Sequence, residues 1–231
     1  MITVLIVGTG NVGFHLFNAF SASKTINVTQ VSSRKLNDLP KADVTILAVS
    51  DDAIVEVSKK IKNSFVVHVS GSKSINELNN KTNKGVFYML QTFSKEKPID
   101  FNKVPFCLEA QNDDDFKLLE NLAKSLGEQI YNINSEKRKV LHVAAVFANN
   151  FTNHMYKIAK DICDKHDISF KVLLPLINET SLKINYLDPK ESQTGPAIRN
   201  DEKTILNHLT LLSENQKEIY KILTKSIQNG N

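Results

Sequence analysis

The sequence contains few cysteines, no tryptophan and no long apolar run, and each scarcity excludes a class of protein. Its two cysteines, Cys107 and Cys163, stand in no metal-ligand or redox spacing. Unpaired thiols are typical of a reducing compartment, so the sequence predicts a cytoplasmic protein with neither a disulfide nor a metal site. The longest apolar run, residues 143–148, is far shorter than the roughly 18 residues that span a bilayer. We therefore expect no membrane helix.

Charge of one sign is also scarce. The 231 residues carry 29 Lys and Arg against 25 Asp and Glu, a net charge of +4, with no block of five or six basic residues. This pattern argues against binding to nucleic acid. Hydrophobic residues make up 41% and charged residues 23% of the chain, a balance that predicts a globular protein of one large or two small domains.

A glycine-rich turn lies between a predicted strand, residues 2–7, and a predicted helix, residues 14–20. Its three glycines have the spacing of the dinucleotide-binding fingerprint. In that fingerprint the first allows a tight turn, the second the approach of a pyrophosphate, and the third close packing of helix on strand. The predicted cofactor-binding residues of this turn are Gly8, Thr9, Gly10, Asn11, Val12 and Gly13.

The second predicted strand, residues 27–32, indicates which dinucleotide is bound. In NAD-binding proteins an acidic residue at its end holds the ribose hydroxyls, whereas this chain has Ser32, Ser33 and Arg34 there. Hydroxyls and a guanidinium suit a 2′-phosphate. We therefore expect NADP rather than NAD, with a solvated loop as the alternative interpretation of Arg34.

Further strands are predicted over residues 42–50, 65–70, 85–90, 104–109 and 130–133. Their alternation with helices predicts an α/β fold with a doubly wound parallel Rossmann sheet. Ligands of such sheets bind outside the carboxyl ends of the strands. This position makes cofactor candidates of Val49, Ser50, Ser70 and Gly71, and substrate candidates of Ser72, Gln91 and Thr92. His68, on a buried strand, is interpreted as structural.

The rest of the chain is predicted to be helical. Apolar residues recur at helical spacing over residues 135–166, 170–186 and 201–227, which predicts three helices. We therefore expect an NADP-binding domain in residues 1–134 and a helical domain in residues 135–231. The alanine-rich middle of the first helix allows close helix packing and favours a homodimer.

Polar side chains on the first of these helices are candidates for catalysis. His142 is the predicted proton donor, because an unperturbed histidine has a pKa near 6.5. Asn149 or Asn150 would orient a carbonyl or the nicotinamide amide, and Asn153 would contact the substrate. A structural histidine on an apolar helix face is the alternative for His142.

A loop over residues 193–201 carries a hydroxyl and a guanidinium close together. Thr194, Gly195 and Arg199 in this loop are predicted to bind a carboxylate or phosphate of a small-molecule substrate. A plain turn explains Gly195 equally well. The alternative for Arg199 is a salt bridge with Asp201 or another acid.

Several motifs together resemble a known family: the glycine motif, residues 48–54, 68–72 and 90–93, and above all Gln193-Thr194-Gly195-Pro196 with Arg199 and Asp201. They are similar to the Rossmann-like, short-subunit dehydrogenase-like oxidoreductases with a carboxyl-terminal DUF2520 domain. The resemblance implies an NADP-binding first domain, similar to pyrroline-5-carboxylate reductase and F420-dependent NADP oxidoreductase. It also implies a helical second domain resembling that of 6-phosphogluconate dehydrogenase, commonly dimeric.

The chain departs from its relatives at two positions. Related β-hydroxyacid dehydrogenases carry a catalytic lysine where this chain has Val146, and many relatives have His-Pro where it has Tyr88 and Met89. A tyrosine phenol can still donate a proton. The sequence thus predicts an NADP-dependent oxidoreductase acting on a small carbonyl, imine or hydroxy acid. A non-catalytic NADP-binding sensor stays open as the alternative.

Overall fold

The computed structural model describes residues 1–230 and divides into two compact units, Met1–Phe147 and the residues from Ala148 onward. The sequence places its domain boundary earlier, between residues 134 and 135. The two divisions differ because the helix that begins at Ser135 is bonded to the sheet of the first unit. Among residues 1–230, no helix is long and apolar enough to cross a membrane.

The first unit is built on a seven-stranded sheet of order β2-β1-β3-β4-β5-β6-β7. The strands are β1 Ile2–Val7, β2 Ile26–Val31, β3 Val44–Leu47, β4 Phe65–His68, β5 Asn83–Met89, β6 Phe106–Ala110 and β7 Ile130–Asn132. Strands β1 to β5 are mutually parallel, whereas β6 is antiparallel to β5 and β7 is parallel to β6. The predicted doubly wound Rossmann sheet is confirmed, with its last two strands reversed.

Helices cover both faces of this sheet. They are α1 Asn11–Ser21, α2 Ile54–Ser58, α3 Asp113–Lys124 and α4 Ser135–Ala145. Strand β1 explains the two layers, because successive side chains of a strand point to opposite faces. Val4 and Ile6 pack with α1 and α3, whereas Leu5 and Val7 pack with α2. A third cluster, under α4, contains Tyr88 and residues from β5 and β6.

The second unit is helical, as predicted. A π-helical turn, Val146–Phe151, precedes α5 Thr152–Lys165, which is followed by α6 Leu174–Lys183, α7 Glu202–Leu211 and α8 Glu214–Asn229. The prediction of one helix over residues 201–227 is wrong. Ser213 and Gln216 form a capping box that starts α8, and the preceding Leu212 is extended. A capping box satisfies backbone N–H groups that only a helix start leaves unpaired.

A buried ion pair joins α4 to the sheet. Arg138 is fully buried, and its Nη1 donates to Glu109 Oε2 on β6 at 2.5 Å. Its Nη2 donates to the Lys73 carbonyl oxygen at 2.6 Å and to Ser135 Oγ at 3.1 Å. Ser135 Oγ also donates to Glu109 Oε2 at 2.8 Å and accepts from the Ile75 N–H at 2.9 Å. The network therefore ties α4 to both β6 and the segment after β4.

Replacing Arg138 should destabilise the protein strongly. Arg138→Met leaves the Glu109 carboxylate without its cation, and removing one member of a buried pair costs about 3 to 5 kcal/mol. Urea unfolding would measure the loss. The double variant Arg138→Met with Glu109→Gln should recover part of it, because no unpaired charge is left. A double variant no more stable than Arg138→Met would contradict this account.

Candidate cofactor and active site

The glycine turn between β1 and α1 depends on two of its glycines for packing. Gly8 has a φ of +125°, which side chains rarely allow, and an added Cβ would lie 2.1 Å from the Ala48 carbonyl oxygen. A Cβ on Gly13 would lie 2.4 Å from the Gly8 carbonyl oxygen. A Cβ on Gly10 would meet nothing within 4 Å. Gly10 therefore faces open space beside the turn.

A cavity of about 390 Å³ lies beside this turn, at the carboxyl ends of β1, β2 and β3. It brings together eight predicted cofactor-binding residues: Gly8, Thr9, Gly10, Ser32, Ser33, Arg34, Val49 and Ser50. Sequence reasoning missed Ala48 and Ala53, which complete the lining. Both flank predicted site residues at the end of β3, so their position was the available signal.

The rim of this cavity next to β2 carries positive charge. The chain turns after β2, because the Lys35 N–H donates to the Ser32 carbonyl oxygen at 2.9 Å and the Arg34 N–H to Ser32 Oγ at 3.3 Å. Arg34 is exposed and lines the cavity, whereas Lys35 is exposed and does not. The described lining contains no carboxylate. Two hydroxyls and one guanidinium therefore meet an incoming group there.

The amino terminus of α1 adds backbone donors. Gly10 is its N-cap, no side chain caps it, and its first turn holds no acidic residue. Uncapped N–H groups and the positive end of the helix dipole attract anions. The Asn11 side chain donates instead to the Phe93 carbonyl oxygen at 2.9 Å. Gln30, which the sequence analysis missed, holds the turn by donating from Nε2 to the Gly8 carbonyl oxygen at 2.9 Å.

The segment after β4 links this region to α4. Ser70 is buried, and its Oγ accepts from the N–H groups of Ser72 and Lys73 at 3.2 and 3.1 Å. Ser72 Oγ donates to Asp51 Oδ2 at 2.5 Å, and Asp51 follows the cavity residue Ser50. Asp51 is another residue that the sequence analysis did not assign to the site. The hydroxyl of Ser70 is thus used by the turn itself, and its predicted cofactor role stays a prediction.

His142 lies against this segment. Its Nδ1 is 3.3 Å from the phenol oxygen of Tyr88, and the two rings meet edge to face with centroids 6.1 Å apart. A Cβ on Gly71 would lie 2.6 Å from His142 Nδ1 and 2.9 Å from the Tyr88 oxygen. Burial raises the pKa of the Tyr88 phenol. The candidate proton donor His142 is therefore paired with Tyr88, the residue that stands where many relatives have His-Pro.

His68 is a buried structural residue. The Ser70 N–H donates to its Nδ1 at 3.1 Å, so Nε2 carries the proton and donates to the Ser74 carbonyl oxygen at 3.3 Å. Burial, and next the nearby charge of Arg138, lower the pKa of His68 to about 4. The ring is therefore neutral in the folded protein over the physiological range.

Five further predicted residues are exposed. Gln91 and Thr92 follow β5, where Gln91 Oε1 accepts from the Thr92 N–H at 2.8 Å. In the second unit, Asn149 and Asn150 lie in the π-helical turn and Asn153 in α5. Such turns are frequent at functional sites. The assignments of these residues stay predictions.

The loop before α7 is a tight turn in the second unit. Gly195 has a φ of +108°, which explains a glycine there. The Asp201 carboxylate accepts from the N–H and Oγ1 of Thr204 and so caps α7. Within the described chain Arg199 forms no ion pair with this acid, and it is exposed like Thr194. The proposed salt bridge of Arg199 with Asp201 is therefore wrong.

Residues 1–230 hold no cluster of three or more metal-ligating side chains.

The chain matches a protein family and several solved structures. The model of DUF2520, a domain of unknown function, matches residues 104–227. No curated protein matches the sequence. A crystal structure of a candidate NADP oxidoreductase from Bacteroides fragilis is 34% identical, with a TM-score of 0.87 over 99% of this chain and 98% of that chain.

Two more distant structures share the fold. A protein of Thermotoga maritima is 18% identical, with a TM-score of 0.72 over 98% of this chain and 97% of that chain. Pyrroline carboxylate reductase of Plasmodium falciparum, solved with NADP bound, is 14% identical, with a TM-score of 0.62 over 98% of each chain. These likenesses bear out the fold expected from the sequence.

Acid should destabilise the protein through His68. Its folded pKa of about 4 lies below the unfolded value of 6.5, so the unfolded chain binds the proton more tightly. The contribution of His68 to the free energy of unfolding is therefore fully present above pH 6.5. It is lost as the pH falls towards 4, and the total loss is about 3 kcal/mol.

Urea unfolding at a series of pH values would measure this loss in the wild type and in His68→Asn. The variant removes the titrating ring, so the wild type should lose more stability than the variant between pH 6.5 and pH 4. Parallel pH curves for the two proteins would contradict the assignment.

Proposed function

The chain belongs to the DUF2520 family, and from this premise we propose that it is an NADP-dependent oxidoreductase acting on a small carbonyl, imine or hydroxy-acid substrate. The observation that carries the proposal is the cavity beside the glycine turn, with Arg34 at its rim. When bound, NADP exchanges a hydride with a substrate carbon. The chain itself has to bind the two molecules, orient them and exclude water.

The glycine turn is suited to hold the pyrophosphate. Gly10 leaves room beside the backbone, and the uncapped amino terminus of α1 provides N–H donors. These are the two features that let a backbone approach and stabilise a diphosphate. Gly8 and Gly13 contribute by allowing the turn to pack against β3 and against itself.

The end of β2 supports NADP over NAD. Arg34 can form charge-assisted hydrogen bonds to a 2′-phosphate, with Ser32 and Ser33 beside it. The lining residues described for the cavity include no carboxylate that would repel this phosphate or hold ribose hydroxyls in its place. A cation at this rim, with no carboxylate in the described lining, favours the phosphorylated cofactor.

His142 is assigned to contact the reacting group of the substrate. This residue and Ser72 lie near the carboxyl ends of β4 and β5, and Ser72 reaches Asp51 next to the cavity. Gln91 and Thr92 follow β5 and are assigned to substrate contacts. Spacing on one helix face adds Asn149, Asn150 and Asn153, and the loop before α7 adds Thr194, Gly195 and Arg199; the roles of all six are proposals from the sequence.

We also propose that the second unit pairs with a second copy of the chain. Between residues 148 and 230 only Cys163 and Ala197 are buried, whereas Leu176 and Ile222 are 62% and 68% exposed. Helices that expose apolar side chains and bury few residues indicate a surface that associates with another molecule. A second copy is the occupant favoured here, because soluble oligomers are mostly symmetric pairs of one chain.

The cofactor preference can be tested by calorimetry with NADPH and NADH. Arg34→Ala should weaken NADPH binding about 10- to 100-fold, since a charge-assisted hydrogen bond contributes about 1.5 to 3 kcal/mol. NADH binding should stay unchanged. Lys35→Ala is the matched control, because this neighbouring cation does not line the cavity. Equal losses in both variants would contradict a specific phosphate contact.

Gly10→Ala tests the binding site without disturbing the fold, by the same calorimetry with NADPH and NADH. The added methyl group meets nothing within 4 Å, so the free energy of unfolding should change by no more than about 1 kcal/mol, the effect of a changed helix N-cap. Binding of both nucleotides should fall together.

Oxidation of NADPH in the presence of a panel of small carbonyls and imines then tests turnover. Tight NADPH binding without turnover on any of them would favour the sensor alternative.

Light scattering tests the dimer. The wild type should have twice the mass of one chain, and Ile222→Glu should shift it to a monomer by placing a charge on the exposed face of α8. Val55→Glu, an exposed apolar residue of the first unit, is the control and should leave the mass unchanged. A monomeric wild type at all concentrations would contradict the proposal.

A further inference from the structure

We propose that Tyr88 is a positioning residue that holds His142 in one neutral tautomer, so that His142 polarises the substrate by donating a hydrogen bond from Nε2. This inference rests on the proposed function and refines the role of His142 from proton donor to neutral hydrogen-bond donor. The proton that the product takes up then comes from water. The juxtaposition of Tyr88 and His142, 3.3 Å apart, carries the argument.

The phenol is the donor in this pair. Tyr88 lies on β5, is 9% exposed, and packs with Ile75, Val86 and Cys107. A buried donor without an acceptor loses the hydrogen bond it would make with water, at a cost of about 1 to 3 kcal/mol. The described residues give the Tyr88 hydroxyl no acceptor other than His142 Nδ1. Its single proton therefore points at Nδ1.

The tautomer of His142 follows from this direction. A neutral imidazole has one protonated and one unprotonated nitrogen. If Nδ1 accepts from the phenol, the ring proton is on Nε2. Across residues 1–230 the structure gives Nε2 no hydrogen-bond partner. A neutral N–H without a partner is the group required to stabilise negative charge that develops on a carbonyl oxygen or imine nitrogen.

Gly71 and the anchoring of α4 restrict the ring further. Gly71 closes over the pair so tightly that a Cβ there would lie 2.6 Å from His142 Nδ1. On α4, Arg138 precedes His142 by four residues and is bonded to Glu109 on β6. Side chains four apart lie on the same face of a helix. The anchored helix, the glycine and the phenol together therefore restrict the ring on three sides.

The position of the pair connects it to the cofactor cavity. Tyr88 and Gly71 lie at the carboxyl ends of β5 and β4, the same edge of the sheet as the glycine turn. Ser72, next to Gly71, donates to Asp51, which follows the cavity residue Ser50. The proposal places the substrate at the edge of β4, between this cavity and the pair.

Nitrogen-15 NMR of the histidine rings tests the tautomer directly. In alkaline buffer, where imidazole is neutral, His142 should give the signature of a single Nε2–H tautomer in the wild type. Tyr88→Phe removes only the hydroxyl, so its His142 shifts should move towards an average of both tautomers. Loss of one signal in His142→Gln assigns the resonance.

The chain provides a matched control for this measurement. Tyr220 and His208, on α8 and α7, form the same kind of pair, with the phenol 2.9 Å from Nδ1. Tyr220→Phe removes a phenol from a different histidine and should leave the signals of His142 unaltered. A proton on Nδ1 of His142 in the wild type, or identical His142 signals in the wild type and Tyr88→Phe, would overturn the proposal.

The catalytic half of the inference is measured with the carbonyl or imine that supports NADPH oxidation. Tyr88→Phe should lower kcat about tenfold with little change in KM, because the ring still reaches the substrate but has lost its fixed tautomer. An unchanged kcat would overturn this half. If no compound in the panel is reduced, the proposed function fails while the tautomer result stands, so the two failures are distinguishable.

Discussion

The burial of one ion pair sets the geometry of the candidate active site. Arg138 is completely enclosed and bonds to Glu109, to Ser135 and to the backbone of Lys73. Burying a charge is tolerable only when paired charges and hydrogen bonds compensate it, and those of Arg138 join α4 to β6 and to the segment after β4. His142 follows Arg138 on the same helix face, so the position of its ring is set by the same anchor. The ion pair thereby connects the stability of the sheet to the placement of His142, for which a catalytic role is proposed.

Glycine occupies the three positions of the first turn for different physical reasons. Backbone carbonyl oxygens occupy the space that a Cβ would need at Gly8 and Gly13, so the fold itself requires both. Gly10 is different, because its surroundings are open and it serves as the N-cap of α1. Serine, threonine, asparagine or aspartate would cap a helix as well or better. Folding alone therefore gives no reason for Gly10, which supports the proposed approach of a pyrophosphate to the backbone.

Much of the fold could be predicted from the sequence because it depends on local pattern. Apolar runs bounded by turn residues gave the seven strands, and the capping residue Ser213 was readable as a helix start although it was overlooked. The direction of β6 could not be predicted, since a short apolar run can pair in either direction. The cavity residues of β1, β2 and β3 were found because each follows a strand end, which is a rule about position.

Contacts between distant residues were beyond the reach of the sequence. Arg138 and Glu109 are 29 positions apart, and Tyr88 and His142 are 54 apart. Nothing in a single sequence says which charged residue of a helix will be buried or which phenol will face a histidine. The predictions that rest on side-chain type alone, such as His142 as an acid, are therefore the ones that the geometry refines most.

The two tyrosine–histidine pairs show why surroundings matter more than contact length. The exposed pair of Tyr220 and His208 has the shorter separation, 2.9 Å against 3.3 Å. Water can replace either partner of an exposed pair at little cost, so the tautomer of His208 is weakly determined. Tyr88 is only 9% exposed, and the lower dielectric there raises the cost of turning the phenol away. The longer contact is therefore the one proposed to impose the stronger constraint.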